Sequence, residues 1–218
     1  MSSQEIRNPI CIEYWSDYVC PFCYIGIRHL KAAIAELGLE DRVQLKMRSF
    51  ELDRYAPGQA AFNAVEHFAL KYGIVQEKAV EMVEQISEKG KQAGIKQMDY
   101  GGTKTTNTSE AHQLTKYAET KGVDLQESLY ETFFCKHFNI GERTVLKEIS
   151  ALNGLDPEEV DRVLETRAYL KDVRNDEKEA SLRGIHMVPH FCFPGKQELS
   201  GSGSIEEFKS ILLRCVNR

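Results

Sequence analysis

Cys20-Pro21-Phe22-Cys23 is the group of residues best suited to chemistry in this 218-residue sequence. Two thiols separated by two residues suit thiol–disulfide exchange when the first sits at the start of a helix. There, unpaired backbone N–H groups and the positive end of the helix dipole stabilise a thiolate. Pro21 fits the first helical position, where its missing N–H leaves no bond unmade. Cys23, one turn further on, shares a face with Cys20, so a disulfide can close after backbone adjustment. As a thiolate, Cys20 would attack a disulfide, and Cys23 would resolve the mixed disulfide; the reverse sequence oxidises a dithiol. The same pair also fits two buried core thiols or half of a zinc site.

A second zinc half would have to come from Cys135-x-His137 or His190-x-Cys192. Neither has the two-to-four-residue spacing of a zinc knuckle, and Pro21 favours redox use, so no metal site is expected. Cys11 and Cys192 lie in strand-like segments and are read as core residues. Cys215 has no assignable role.

The surrounding segments must present this motif. Residues 10–15 (ICIEYW) are β-branched and aromatic and read as a buried strand. Ile27, Leu30, Ile34 and Leu37 recur at steps of three and four before Gly38, which predicts a helix over about 21–37. Residues 43–50 alternate as a second strand, parallel to the first because a helix intervenes. From position 60 to about 180 the periods are helical. Asp156-Pro157-Glu158-Glu159 marks one clear helix start, with Ser109 and Asp124 as weaker ones. Strand character returns over 188–193, and a turn at 194–196 leads into a short strand over 197–200. Ser204-Ile-Glu-Glu207 forms a capping box that opens a last helix with Phe208, Ile211, Leu212 and Cys215 inward. The economical arrangement is one α/β unit built from 1–55 and 181–218, interrupted by a helical insertion over 56–180.

Composition bounds the function. Lys and Arg number 28 against 33 Asp and Glu, giving a formal charge of −5, and no basic run stands out, which argues against nucleic-acid binding. No stretch longer than four residues is wholly apolar, so neither a membrane span nor a secretory signal is expected. A cytoplasmic, reducing setting follows as the expectation. There is no G-x-G-x-x-G or G-x-x-x-x-G-K-[ST] pattern, so no nucleotide cofactor is proposed.

Residues 15–26 (WSDYVCPFCYIG), together with Val188-Pro189, closely resemble the DsbA-like thioredoxin-fold oxidoreductases, nearest to FrnE-type proteins. The resemblance extends to residues 107–112, 129–134 and 173–180 and so covers nearly the whole chain. It implies a thioredoxin fold interrupted by a large helical insertion. Cys20 becomes the attacking thiol and Cys23 the resolving one. Pro189 becomes a cis-proline facing Cys20, and Val188 offers its backbone to an extended substrate. Between the cysteines stands Pro21-Phe22, where bacterial periplasmic oxidants carry Pro-His. Phe22 donates no hydrogen bond, so the Cys20 thiol should be less acidic than the strong oxidant's value of about 3.5, and the disulfide less oxidising.

His112 and His190 are candidate cleft residues, and no role follows for Asn107. His112 equally suits helix packing, and strand alternation equally points His190 away. Partners are disulfide- or dithiol-containing proteins or small molecules, with glutathione as a candidate co-substrate. Gly201-Ser-Gly-Ser204 before a helix suits either a bound carboxylate or a plain capping loop. Two other functions compete. One is a glutathione-dependent transferase or isomerase of the kappa and 2-hydroxychromene-2-carboxylate type, whose members carry Ser where Cys20 stands. The other is a non-catalytic protein-binding module.

Overall fold

Ile10, Ile12 and Tyr14 alternate with Cys11 and Glu13, and the pleat sends the first set into the core as strand β1 (Ile10–Ser16). The computed structural model describes residues 9–58 and 62–216. Residues 1–8, read as lacking a leader, and position 60, where helical texture was expected to begin, lie outside these. Cys11, expected in the core, is exposed, because its inward neighbours Ile10 and Ile12 fix it on the opposite face.

Helix α1 (Pro21–Glu36) ends one residue short of the expectation. Leu37 is its cap, and Gly38 adopts φ 62°. Leu39 N–H returns to the Ile34 carbonyl and Gly38 N–H to that of Ala35, the Schellman pattern that only a residue at ease with positive φ closes cheaply. Strand β2 (Val43–Ser49) lies parallel to β1, from Ile10 opposite Val43 to Ser16 opposite Ser49.

Among the described residues, helices α2 (Ala64–Tyr72), α3 (Gln76–Gln92), α4 (Ser109–Thr120), α5 (Gln126–Phe134), α6 (Arg143–Leu152), α7 (Pro157–Thr166) and α8 (Leu170–Leu182) follow without a strand. Asp156 caps α7, accepting the N–H groups of Glu158 and Glu159. At α4 and α5 the capping differs from the simplest reading. Asn107 and Asp124 each accept the N–H two residues ahead, at Ser109 and Gln126, forming Asx turns that lead into the helices.

Strand β3 (His190–Phe193) starts two residues later than expected, since Pro189 has no N–H for the ladder. It pairs antiparallel with β1 and with β4 (Gln197–Ser200), completing a sheet of order β2-β1-β3-β4. The Ser204–Glu207 box forms reciprocally and opens α9 (Ile205–Val216). Phe191 stacks on Tyr14 and meets Phe208 of α9 edge-on, so α1 and α9 cover one face of the sheet. On the other face Trp15, Ala180, Ile185 and Cys192 form a smaller cluster under α8. No helix among the described residues is long and apolar enough to cross a membrane.

Asp176 of α8 fastens the helical segment to the sheet. Its carboxylate accepts from Ser49 N–H at 2.9 Å and from Arg48 Nη1 at 2.9 Å, and it lies 2.6 Å from Lys116 Nζ of α4. Its backbone carbonyl accepts the Trp15 indole N–H at 2.9 Å. Removing this buried carboxylate leaves the Ser49 amide without its acceptor and takes one partner each from Arg48, which keeps Glu13, and from Lys116, which keeps the Met47 carbonyl. Asp176→Ala should therefore lower the unfolding free energy by about 3–5 kcal/mol in urea titration. A loss under about 1 kcal/mol would show that Asp176 is not the fastening point.

Candidate functional site

The segment between β1 and α1 is short and turns sharply, with Cys20 N–H bonding back to the Asp17 carbonyl at 3.2 Å. Cys20 lands at the N-cap of α1 in extended conformation, with Pro21 behind it. No side chain caps this helix, and its first turn contains no acidic residue. The open N–H groups and the positive end of the helix dipole therefore face Cys20 without a competing anion.

The Cys20 thiol reaches the Val188 carbonyl, with Sγ 3.7 Å from the oxygen. The next peptide, Val188–Pro189, is cis. Pro189 is held from behind, its carbonyl accepting Gly201 N–H at 2.8 Å. The motif and the proline turn thus stand together at the end of the two inner strands, where β1 ends and β3 begins.

Gly26 makes this approach possible, and its importance was not read from the sequence although it closes the quoted motif. A Cβ there would lie 3.1 Å from the Ser202 Cα, 3.2 Å from the Phe191 ring and 3.3 Å from the Pro189 ring. Those neighbours are backbone or rigid rings, so a side chain at position 26 would push the proline turn away from α1. The signal was a glycine inside a helical period, which marks close packing.

Both cysteines are buried free thiols, Cys23 the deeper at 1% exposed against 5% for Cys20. Burial pushes the Cys23 thiol well up, and the adjoining Cys20 sulfur adds to the rise; the Ser16 hydroxyl and the Asp17 backbone oppose it. Ser16 Oγ in turn lies 2.6 Å from the Tyr130 hydroxyl, and Tyr130 stacks on Tyr24 at 4.8 Å. Helix α5 of the insertion therefore closes over the first turn of α1. Phe22, partly buried, packs against the same core.

His112 is fully buried and has no surface to offer a cleft. Its Nε2 lies 3.3 Å from Asp17 Oδ1, and its ring rests 5.0 Å from that of Tyr18. Asp17 Oδ2 accepts Leu52 N–H at 2.7 Å, so this buried pair braces the turn before Cys20. Asn107 donates to the Arg54 and Ala56 carbonyls and so holds the loop after β2. His190 lies opposite Trp15 in the β1–β3 register and shares its face, turned from α1, where its Nδ1 meets Ser200 Oγ at 2.7 Å. At α9 the Glu207 carboxylate sits 2.8 Å from Ser204 N–H and already occupies the helix end.

A family profile described as DSBA-like thioredoxin domain matches residues 11–213. The chain belongs to this family. It is 27% identical over 202 residues to the uncharacterized protein YwbO of Bacillus subtilis, covering 92% of this chain and 94% of YwbO. The crystal structure of a probable DsbA oxidoreductase from Streptomyces coelicolor superposes with a TM-score of 0.90 at 29% identity, covering 96% of this chain and 91% of that one. The fold is also shared with the cytosolic disulfide reductase DsbM of Pseudomonas aeruginosa, solved with GSH, at a TM-score of 0.60 and 18% identity over 95% of this chain and 100% of that one. The α/β architecture is thus the DsbA-like thioredoxin fold with a helical insertion.

Differential alkylation tests the geometry of the motif. At neutral pH, Cys20 of the reduced protein should react with iodoacetamide at least about tenfold faster than Cys23, whose thiol burial keeps protonated. Peptide mass mapping over time would show this order. Equal rates would contradict the assignment of Cys23 as the deeper, more strongly protonated thiol.

Proposed function

We propose that this protein is a thiol–disulfide oxidoreductase in which Cys20 is the attacking thiol and Cys23 resolves. The observation carrying this reading is Cys20 at an uncapped helix N-terminus, 3.7 Å from the Val188 carbonyl beside Pro189, with Cys23 buried one turn further in. The family supports disulfide chemistry as the reaction class.

In the reductive direction the Cys20 thiolate attacks one sulfur of a substrate disulfide. A Cys20–substrate disulfide forms, and the other substrate sulfur leaves as thiolate and takes a proton from solvent. Cys23 then loses its proton and attacks the Cys20 sulfur. The second substrate thiolate departs, leaving a Cys20–Cys23 disulfide and a substrate reduced by two electrons. Oxidation of a substrate dithiol follows the same steps in reverse. Val188 would present its backbone N–H and C=O to an extended stretch of substrate, and Pro21 and Phe22 shape the loop beneath it. Substrates are disulfide- or dithiol-containing proteins or small molecules, with glutathione as co-substrate in a cytoplasmic setting. Residues 1–55 and 181–218 form the redox unit, and 56–180 the insertion that covers it.

Trapping tests the order of events. Incubated with oxidised glutathione, Cys23→Ser should accumulate a mixed disulfide on Cys20, visible by intact-mass and peptide analysis. The native chain should pass on to a Cys20–Cys23 disulfide, and Cys20→Ser should do neither. Mixed disulfide forming on Cys23, or on Cys20 and the other cysteines alike, would overturn the assigned roles.

A further inference from the structure

On the sheet face turned from α1, three side chains of different chemistry converge. His190 and Cys192 are two apart on β3 and share that face, and the β3–β4 register sets Glu198 opposite Cys192 and Ser200 opposite His190. Among the described residues, His190, Cys192 and Glu198 offer ligand atoms that lie within 4.8 Å of one another. Glu198 Oε2 is 3.4 Å from His190 Nε2, and Glu198 Oε1 is 3.9 Å from Cys192 Sγ. Ligands on a tetrahedral ion with bonds of about 2.0–2.3 Å stand about 3.3–3.8 Å apart.

The histidine supplies the second, independent observation. His190 is 8% exposed, and its Nε2 is buried without a hydrogen bond, the Glu198 carboxylate oxygen standing 3.4 Å away. In the tautomer whose Nδ1–H donates to Ser200 Oγ, the Nε2 lone pair faces a carboxylate, an arrangement of two acceptors that a cation between them would relieve. Imidazole nitrogen, thiolate and carboxylate are together the donor set of zinc. Glu198 is half exposed, which leaves an entry path and a fourth position for water.

We propose that His190, Cys192 and Glu198 form a zinc-binding site on the β3–β4 hairpin. Spacing alone argued against His190-x-Cys192 as a zinc half, because a knuckle needs a turn between its ligands; on a strand, alternate residues meet the requirement instead. Burial pushes the Cys192 thiol up to about 11, so binding releases its proton to solvent. Arg183 is the competing cation, with Nη2 3.0 Å from Cys192 Sγ and 3.7 Å from Glu198 Oε1. It also reaches Glu13 at 3.6 Å and Glu179 at 3.5 Å and lies over the Trp15 ring, so it has other partners when an ion enters.

The test uses the full chain carrying Cys20→Ser and Cys23→Ser, which removes the motif thiols as metal ligands. Co2+ is titrated and read by thiolate-to-cobalt charge-transfer absorption, then Zn2+ by competition with a chromophoric chelator. One ion per chain is expected. The charge-transfer band should vanish on adding Cys192→Ser, and Glu198→Gln, a half-exposed change that leaves the fold intact, should weaken Zn2+ binding at least ~10-fold. Failure to saturate, or binding indifferent to Cys192→Ser and Glu198→Gln, would overturn the proposal and leave Arg183 as the sole charge partner of the cluster.

Discussion

Two segments 168 residues apart in sequence must meet without a side chain between them, and the candidate site depends on that meeting. Cys20 reaches the Val188 carbonyl where α1 presents a bare Cα at Gly26 to Pro189, Phe191 and Ser202, and a Cβ there would force these neighbours back by a few tenths of an ångström. The proline turn is pinned from its far side by Gly201, and His29 of α1 bonds the Gly203 carbonyl at 2.8 Å. These are backbone and ring contacts with little freedom to relax, so packing fixes the distance between the start of α1 and the proline turn.

The helical segment leaves the sheet after β2 and returns before β3, and its contribution is electrostatic and steric together. Asp176 gathers Arg48, Lys116, Ser49 and Trp15 at one point, fixing α8 and α4 against β1 and β2. Asp17 and His112 repeat the device on a smaller scale directly behind the motif. A buried charge such as that of Asp176 costs desolvation energy and is tolerable only when paired and hydrogen-bonded. Their placement here locks the insertion to the end of the sheet that leads into Cys20. The aromatic layer of Tyr24, Tyr130 and Phe134 completes the cover and keeps Cys23 from water.

Local signals were sufficient for most elements. The Cys20-Pro21 helix start, the Gly38 stop, the Asp156 cap and the Ser204–Glu207 box each name a physical partner within a few residues, and each is observed. The long-range pairings were not legible. Nothing adjacent to Asp17, Asp176 or Tyr130 says which distant residue they meet, because that depends on how α4, α5 and α8 pack. Cys11 was misplaced because a short strand with apolar residues on both sides hides which face is wet. Cys192 was weighed with His190 as a zinc half, set aside on spacing and read as a core thiol, since its relation to Glu198 exists through the hairpin register alone.

The central claim is that Cys20 and Cys23 form one reversible redox couple. The most direct measurement is equilibration of the pair against glutathione buffers in the presence of a metal chelator. The account predicts a single two-electron transition, absent from both Cys20→Ser and Cys23→Ser. Because Phe22 donates no hydrogen bond to the Cys20 thiolate, its midpoint should be more reducing than the strong oxidant's value of about −120 mV. No transition in the native chain, or one that survives either substitution, would contradict it.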